Sequence, residues 1–166
     1  EKIKKYIKKM MYEIKSVCSL GLEKLVFDEL ASFGVEKKEC GAGMVSWFGS
    51  IEQGYRACLW SRYASRVLLK LSEFQASDEQ LLYDESKNIN WEDHLDVKTT
   101  FAINATIAEK SSITHSKFAA LRVKDAIVDR FRENQGCRPS VSTKRPGVQF
   151  SVHLDKNDQA TIYLDL

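Results

Sequence analysis

Six cations in the second half of the chain are the side chains whose type and spacing could do the most specific chemistry. Lys117 and Lys124 fall seven residues apart, so on a helix they lie in line with Leu121 beside an apolar stripe. The set is completed by Arg130, Arg138, Lys144 and Arg145. Cations on a rigid helix and on the loop after it could bind the phosphates of a nucleic-acid backbone. Alternatively, the aliphatic stems of the two lysines could simply cover the edge of a core.

The distribution of charge along the chain favours a local basic surface. The formal net charge of +2 is by itself too small to indicate a nucleic-acid ligand. Between Lys110 and Arg145, however, nine basic residues meet three acidic ones. Between Glu73 and Asp96 the balance is reversed, because eight acidic residues face only Lys87. The basic segment therefore deserves more weight than the total charge.

Residues suited to catalysis are scattered. A group-transfer cofactor would need a glycine-rich turn between a strand and a helix, whereas Gly41-Ala42-Gly43 falls between two strand-like runs and predicts a hairpin. Glu92 and Asp93 lie in a generally acidic segment, which is typical of a solvated face. His115 is close to a helix start, as a cap neighbour or a phosphate contact. We therefore predict no catalytic, cofactor-binding or metal-binding residue in this chain.

The cysteines and the first residues bear on the cellular compartment. The four cysteines are far apart and form no C-x-x-C pair, which favours a reduced compartment over a disulfide framework. Residues 1–11 are rich in lysine and are predicted to be a basic arm or a non-native extension. They contain no apolar stretch long enough for a signal peptide or a membrane span. We expect a cytoplasmic protein without a membrane partner.

Residues 12–75 read as a ferredoxin-like domain. Alternating residues from Tyr12 to Cys18 predict a strand, and Leu22, Val26 and Leu30 predict a helix that stops at Gly34. A hairpin, a helix over Ile51–Leu59 with Tyr55 and Leu59 on its apolar face, and a strand over Arg66–Phe74 follow. The order βαββαβ is typical of ferredoxin-like domains.

Residues 76–166 predict a second α/β domain. An acidic, partly helical stretch leads to an alternating strand over Phe101–Ile107. The longest helix is predicted from about His115 to Asn134, before Gly136. A closing hairpin follows, with strands over Val148–Leu154 and Ile162–Leu166. Because the chain stops inside this last strand pattern, we expect it to be part of a longer protein.

Two separate cores are expected from these patterns. The first is predicted to contain Tyr12, Ile14, Leu25, Leu30, Trp47, Val67 and Leu69. The second is predicted to contain Phe101, Ile103, Phe118, Leu121, Ile127, Phe131, Phe150 and Leu164. The charged residues on the opposite side of the long helix are expected to pair with one another at i, i+3 or i, i+4 spacing.

Several motifs resemble one family. They are Leu20-Gly21-Leu22-Glu23, Trp60–Leu69, Ile89-Asn90-Trp91, Arg122–Asp129, Arg138-Pro139 and Val152-His153-Leu154. In this order they resemble the N-terminal region of bacterial 23S ribosomal RNA guanine-N2 methyltransferases, from about Tyr12 to the end of the chain. The resemblance implies a ferredoxin-like domain over 12–75 and an RNA-binding THUMP domain over 76–166. It also implies structured RNA, 23S rRNA in this family, as the partner.

The resemblance implies that catalysis takes place elsewhere in the protein. Members of the family methylate RNA with a C-terminal domain of the same polypeptide, which binds S-adenosylmethionine and uses an Asn-Pro-Pro-aromatic loop. This sequence contains no such tetrapeptide. THUMP domains also occur in tRNA-modifying enzymes, namely methyltransferases and thiouridine synthetases, and such a module is the alternative reading. A non-enzymatic RNA adaptor is a third possibility.

Overall fold

The computed structural model describes residues 11–166, and these form two compact units. Unit 1 comprises residues up to 70 together with 165–166, and unit 2 comprises residues 71–164. The predicted basic arm, residues 1–11, lies outside the described residues except for Met11, which is exposed.

Unit 1 has the order βαββαβ, as the sequence predicted. Its elements are β1 (Tyr12–Val17), α1 (Glu23–Ser32), β2 (Lys38–Gly41), β3 (Met44–Gly49), α2 (Ile51–Trp60) and β4 (Arg66–Gln75), which continues into unit 2. The strand order is β2-β3-β1-β4, and the three neighbouring pairs are antiparallel. The predicted hairpin is confirmed: β2 and β3 meet at Gly41, Ala42 and Gly43, and Gly43 has a φ of 68°.

Local hydrogen bonds explain where the helix α2 begins. The Ser50 hydroxyl accepts a hydrogen bond from the Gln53 N–H, and the Gln53 side chain accepts one from the Ser50 N–H. On the other side of β3, the buried Trp47 donates its indole N–H to the hydroxyl of Ser16 at 3.0 Å. This bond satisfies both buried polar groups in the core of unit 1.

Unit 2 is built on a parallel strand pair with a helix between its members. Its further elements are α3 (Glu79–Lys87), a 3-10 helix (Trp91–Asp93), β5 (Phe101–Ile107), α4 (Ser116–Gln135), β6 (Val148–Leu154) and β7 (Gln159–Asp165). β5 pairs with β6 in parallel, from Phe101 opposite Val148 to Ile107 opposite Leu154. The crossover between them is α4, as a parallel pair requires. The predicted long helix is confirmed, and it ends at Gly136 with a φ of 69°.

The core of unit 2 is centred on three aromatic rings. The ring of Trp91 meets that of Phe150 edge-on at 5.0 Å, and Phe101 meets Phe150 at 6.5 Å. Trp91 donates its indole N–H to the carbonyl of Ser86 at 2.7 Å. From α4, Val123, Ile127 and Phe131 complete this core.

Several core predictions are confirmed and four are wrong. Ile14, Leu30, Trp47, Val67, Leu69, Phe101, Ile127, Phe131 and Phe150 are buried, and Tyr12, Ile103 and Leu164 are half-buried. Leu25 and Leu121 are each 43% exposed and Phe118 is 51% exposed, so these three are not core residues. The predicted apolar face of α2 is also wrong, because Tyr55 and Leu59 point to solvent.

Small residues explain the error on α2. Its buried positions are Gly54 and Ala57, and a Cβ on Gly54 would meet the Ile14 side chain at 3.4 Å and the Leu166 side chain at 2.9 Å. The helix therefore comes close to its neighbours through small residues. A pattern search that counts large apolar side chains selects the opposite face.

Candidate nucleic-acid interface

The six predicted cations do not form one cluster. Lys117 lies in the first turn of α4, whereas Arg138 comes two residues after its C-cap, Gly136. The eighteen residues from Lys117 to Gln135 correspond to about 27 Å of helix. The cations therefore lie at the two ends of α4 and along its side, in three different environments.

The first environment is the loop of residues 136–147, here called the basic loop. It connects α4 to β6 and exposes Arg138, Lys144 and Arg145. Among residues 11–166 no acidic side chain lies within ion-pairing distance of these three cations. Their charges are therefore available to an anionic ligand.

Backbone hydrogen bonds hold the basic loop against the start of β5. The Phe101 N–H donates to the Ser140 carbonyl, and the Ser142 N–H donates to the Phe101 carbonyl, both at 3.0 Å. Further along, the Gly147 N–H donates to the Thr100 hydroxyl at 3.0 Å. Residues 143–146, which include Lys144 and Arg145, are thus displayed between two points fixed on the same strand start.

Gly147 has a steric role in this anchoring. A Cβ at this position would lie 2.8 Å from the Thr99 side chain and 3.2 Å from the Thr100 carbonyl. Only glycine lets the loop approach this segment so closely. The sequence analysis had treated Gly147 and Pro146 merely as loop breakers.

The sequence analysis missed one cation of this region, Lys98. Its side chain is exposed, and its N–H donates to the Asp96 side chain at 2.7 Å. It precedes by two residues Thr100, whose carbonyl accepts a hydrogen bond from the Val148 N–H at 2.9 Å. In the sequence Lys98 follows the acidic segment, which hides it, and only the pairing of β5 with β6 shows its relation to the basic loop.

The second environment is the side of α4, where the cations have acidic partners. The Lys124 ammonium lies 2.6 Å from the Asp125 carboxylate, and its side chain is 31% exposed. Arg130 is 20% exposed, and its Nε lies 2.9 Å from a carboxylate oxygen of Glu92. Neither charge is as available as those of the basic loop.

Arg130 connects α4 to the segment that follows α3. Besides binding Glu92, its guanidinium donates to the Lys87 carbonyl at 3.0 Å and to the Asn90 side chain at 2.8 Å. Asn134 also donates to Glu92, at 2.8 Å. The expectation of a solvated Glu92 is therefore wrong, and we interpret Arg130 as a structural residue.

The environment of Glu92 shifts its acidity. Partial burial would raise the pKa of this carboxyl, but hydrogen bonds from Asn134, from the backbone and from Arg130 together hold the pKa below its ordinary value. The ionised form is thus the one that the folded state stabilises.

Other charged residues of α4 pair mostly with α3. The Tyr83 hydroxyl lies 2.9 Å from the Asp129 carboxylate, and the Lys87 ammonium lies 2.6 Å from that of Glu133. Within the helix, Arg132 pairs with Asp129 at the predicted i, i+3 spacing, at 3.5 Å. The acidic segment before β5 thus neutralises one side of α4.

The third environment is the start of α4. Lys117 is exposed and forms no ion pair among the described residues, and the first turn contains no acidic residue. The aromatic rings of His115 and Phe118, which are both exposed, lie 6.0 Å apart on either side of it in sequence. The preceding loop is fixed because Asp158 accepts hydrogen bonds from the hydroxyls of Ser111 and Ser112 at 2.9 and 2.6 Å.

Metal and membrane sites were also sought among residues 11–166. No group of three or more His, Cys, Asp or Glu side chains is arranged to hold a metal ion in this part of the chain. None of the helices described is both long enough and apolar enough to cross a bilayer.

Comparison with known proteins identifies both units. The family model of the THUMP domain matches residues 76–165, and that of the RlmL ferredoxin-like domain matches residues 13–68. A ribosomal RNA large subunit methyltransferase K/L from Desulfotalea psychrophila is 49% identical over 95% of this chain. Other relatives of the same name, from Syntrophotalea carbinolica and Pseudomonas aeruginosa, are 49% and 43% identical. The chain spans about a fifth of the length of these relatives.

Solved structures share the fold. SMU.472, a candidate methyltransferase complexed with SAH, has a TM-score of 0.82 at 23% identity, over 95% of this chain and 42% of that one. A 4-thiouridine synthetase in complex with RNA has a TM-score of 0.59 at 13% identity, over 93% of this chain and 41% of that one. The predicted fold class is confirmed: the chain belongs to the THUMP-domain family and combines its THUMP domain with an RlmL-type ferredoxin-like domain.

Proposed function

We propose that this chain is the RNA-binding part of a cytoplasmic, S-adenosylmethionine-dependent methyltransferase that acts on guanine N2 of 23S ribosomal RNA. The observation that carries the proposal is the basic loop, which displays Arg138, Lys144 and Arg145 without acidic partners on a frame fixed to β5. The similarity to ribosomal RNA large subunit methyltransferases over 95% of the chain supports this choice of RNA.

The basic loop suits contacts with the RNA backbone. Cations that contact phosphates position a nucleic acid and contribute affinity, but they do not read its sequence. The surface that we propose consists of Lys98, Arg138, Lys144 and Arg145, with Lys117 as a separate contact at the other end of α4. Lys124 and Arg130, which the sequence also suggested, are given a smaller part because each has an acidic partner.

The residues of this chain do not fit S-adenosylmethionine. The glycine pair Gly41 and Gly43 connects two antiparallel strands and does not lie between a strand and a helix. We therefore assign the cofactor and the chemistry to a C-terminal methyltransferase domain of the same polypeptide. This chain would hold the RNA while that domain modifies it.

A tRNA-modifying enzyme is the second candidate. The fold shared with a 4-thiouridine synthetase bound to RNA favours it, although at 13% identity this likeness concerns the fold alone. The two candidates place the same surface against different RNAs. The geometry of the basic loop is compatible with either, since phosphate contacts are the same in both.

The substrate is tested with the full-length protein. 23S rRNA lacking the modification and tRNA are each supplied with methyl donor, and N2-methylguanosine is measured by mass spectrometry. We expect it in 23S rRNA only, whereas appearance in tRNA alone would support the second candidate. The 166-residue chain under the same conditions is expected to transfer no methyl group, and turnover above a protein-free control would contradict the assignment of chemistry to another domain.

A further inference from the structure

Phe118 is an exposed aromatic side chain on a helix that already has a complete buried face. Ala119, Val123 and Ile127 of α4 are fully buried, while Phe118 is 51% exposed and Leu121 is 43% exposed. The ring is therefore not needed to fill the core of unit 2. An apolar ring left in water on a rigid helix calls for a partner.

The ring has an aromatic neighbour whose position is fixed. The centroid of the His115 ring lies 6.0 Å from that of Phe118, at an angle of 56° between the ring planes. The Ala119 N–H donates to the His115 carbonyl at 3.0 Å, so the first turn of α4 sets the spacing of the two rings. They form a platform that needs little ordering when a ligand arrives.

The charge around the platform indicates the kind of ligand. Lys117 lies between the two rings in sequence, is exposed and has no ion pair among the described residues. One turn further, at i+3 and i+4 from these residues, the exposed Leu121 extends the apolar surface. Aromatic rings interleaved with an unpaired cation are typical of surfaces that bind single-stranded nucleic acid.

We propose that Phe118 and His115 form a stacking site for an unpaired base of RNA, with Lys117 contacting an adjacent phosphate. This inference rests on the proposed RNA-binding function and adds a preference for single-stranded over duplex RNA. In an A-form duplex the bases are stacked on one another, so an exposed ring gains nothing from them. The site lies at the opposite end of α4 from the basic loop, and the two would engage different parts of one RNA.

The test measures the affinity of the chain for a short oligouridine and for a blunt RNA duplex. Stacking on one side chain is worth about 5- to 150-fold in affinity for single strands. Phe118→Ala is expected to lose this factor for oligouridine and to bind the duplex unchanged. Phe118→Trp is expected to retain binding, while Phe118→Leu keeps apolar bulk but not the stacking. The matched control is Leu25→Ala, an equally exposed apolar residue of unit 1.

The outcomes separate this inference from the proposed function. If the wild-type chain binds both RNAs and Phe118→Ala matches it on oligouridine, the stacking site is refuted and RNA binding stands. Wild-type affinity in Phe118→Leu would also refute stacking, since an apolar contact, such as docking of a protein segment, would then suffice. Failure of the wild-type chain to bind either RNA would overturn both. Thermal melting of each variant confirms that it is folded.

Discussion

The side of α4 that faces α3 and the basic loop that follows α4 are both rich in cations, yet they differ in what surrounds each charge. On the α3 side, Arg130 binds Glu92 and Lys87 binds Glu133. In the basic loop, Arg138, Lys144 and Arg145 are exposed, and no acidic residue among 11–166 pairs with them. The comparison shows that the partners of a cation, rather than its presence, determine whether it can bind RNA.

The largest expected effect on the α3 side concerns stability. Arg130→Met should lower the free energy of unfolding by about 3 kcal/mol, because it leaves the partly buried Glu92 without its charged partner. Chemical denaturation measures this value. Arg132→Met is the matched control: its side chain is 56% exposed, and the loss should be below about 1 kcal/mol. Equal losses in the two variants would show that the Arg130 network is not structural.

The anchoring of the basic loop can be disturbed without removing a charge. Gly147→Ala should cost about 1–3 kcal/mol, because the new Cβ would overlap with Thr99, and should also weaken RNA binding by displacing Lys144 and Arg145. Gly136→Asn is the control, since nothing lies within 4 Å of Gly136 and asparagine tolerates its φ of 69°. Wild-type RNA affinity in Gly147→Ala would mean that the loop does not need this anchor.

The pairing on the α3 side should appear as a pH dependence. The pKa of Glu92 is held below its ordinary value of 4.5, so its stabilisation is complete above that pH and is lost as the pH falls through the lowered pKa. Wild type should therefore exceed Glu92→Gln in unfolding free energy by about 1–2 kcal/mol at pH 7, and the difference should shrink below pH 4.5. A difference that is constant down to acid pH would contradict this account.

The smallest expected effect is that of Lys124. Lys124→Gln should change RNA affinity less than Lys144→Gln does, because the Lys124 ammonium already lies 2.6 Å from the Asp125 carboxylate. Titrations of the two variants with the same structured RNA at one salt concentration provide the comparison. An equal loss of affinity would restore Lys124 to the RNA-binding surface.

The sequence predicted the elements well because their signals are local. Gly41 and Gly43 mark the hairpin, and Gly136 marks the end of α4. The partners of the charged residues depend instead on residues distant in sequence. Glu92 and Arg130 are 38 residues apart, so no pattern in either segment alone reveals their pairing. Lys98 was missed for the same reason.

The misplaced apolar residues have a related cause. Phe118, Leu121 and Leu59 follow the apolar spacing of a helix, but the buried positions beside them are taken by small residues such as Ala119 and Ala57. Helical spacing shows that a face is apolar, and it does not show which of two apolar faces packs inside. The exposed Phe118 could therefore be recognised only once the buried face of α4 was known.

The central claim is tested most directly by the salt dependence of RNA binding in two triple variants that lose the same charge. One variant combines Arg138→Gln, Lys144→Gln and Arg145→Gln in the basic loop. The other combines Lys87→Gln, Lys124→Gln and Arg132→Gln, three cations with acidic partners. The account predicts that the loop variant lowers the slope of log K against log salt by about 2.7, or 0.9 for each phosphate contact, and that the paired variant leaves it nearly unchanged. Equal reductions in the two variants would contradict the claim.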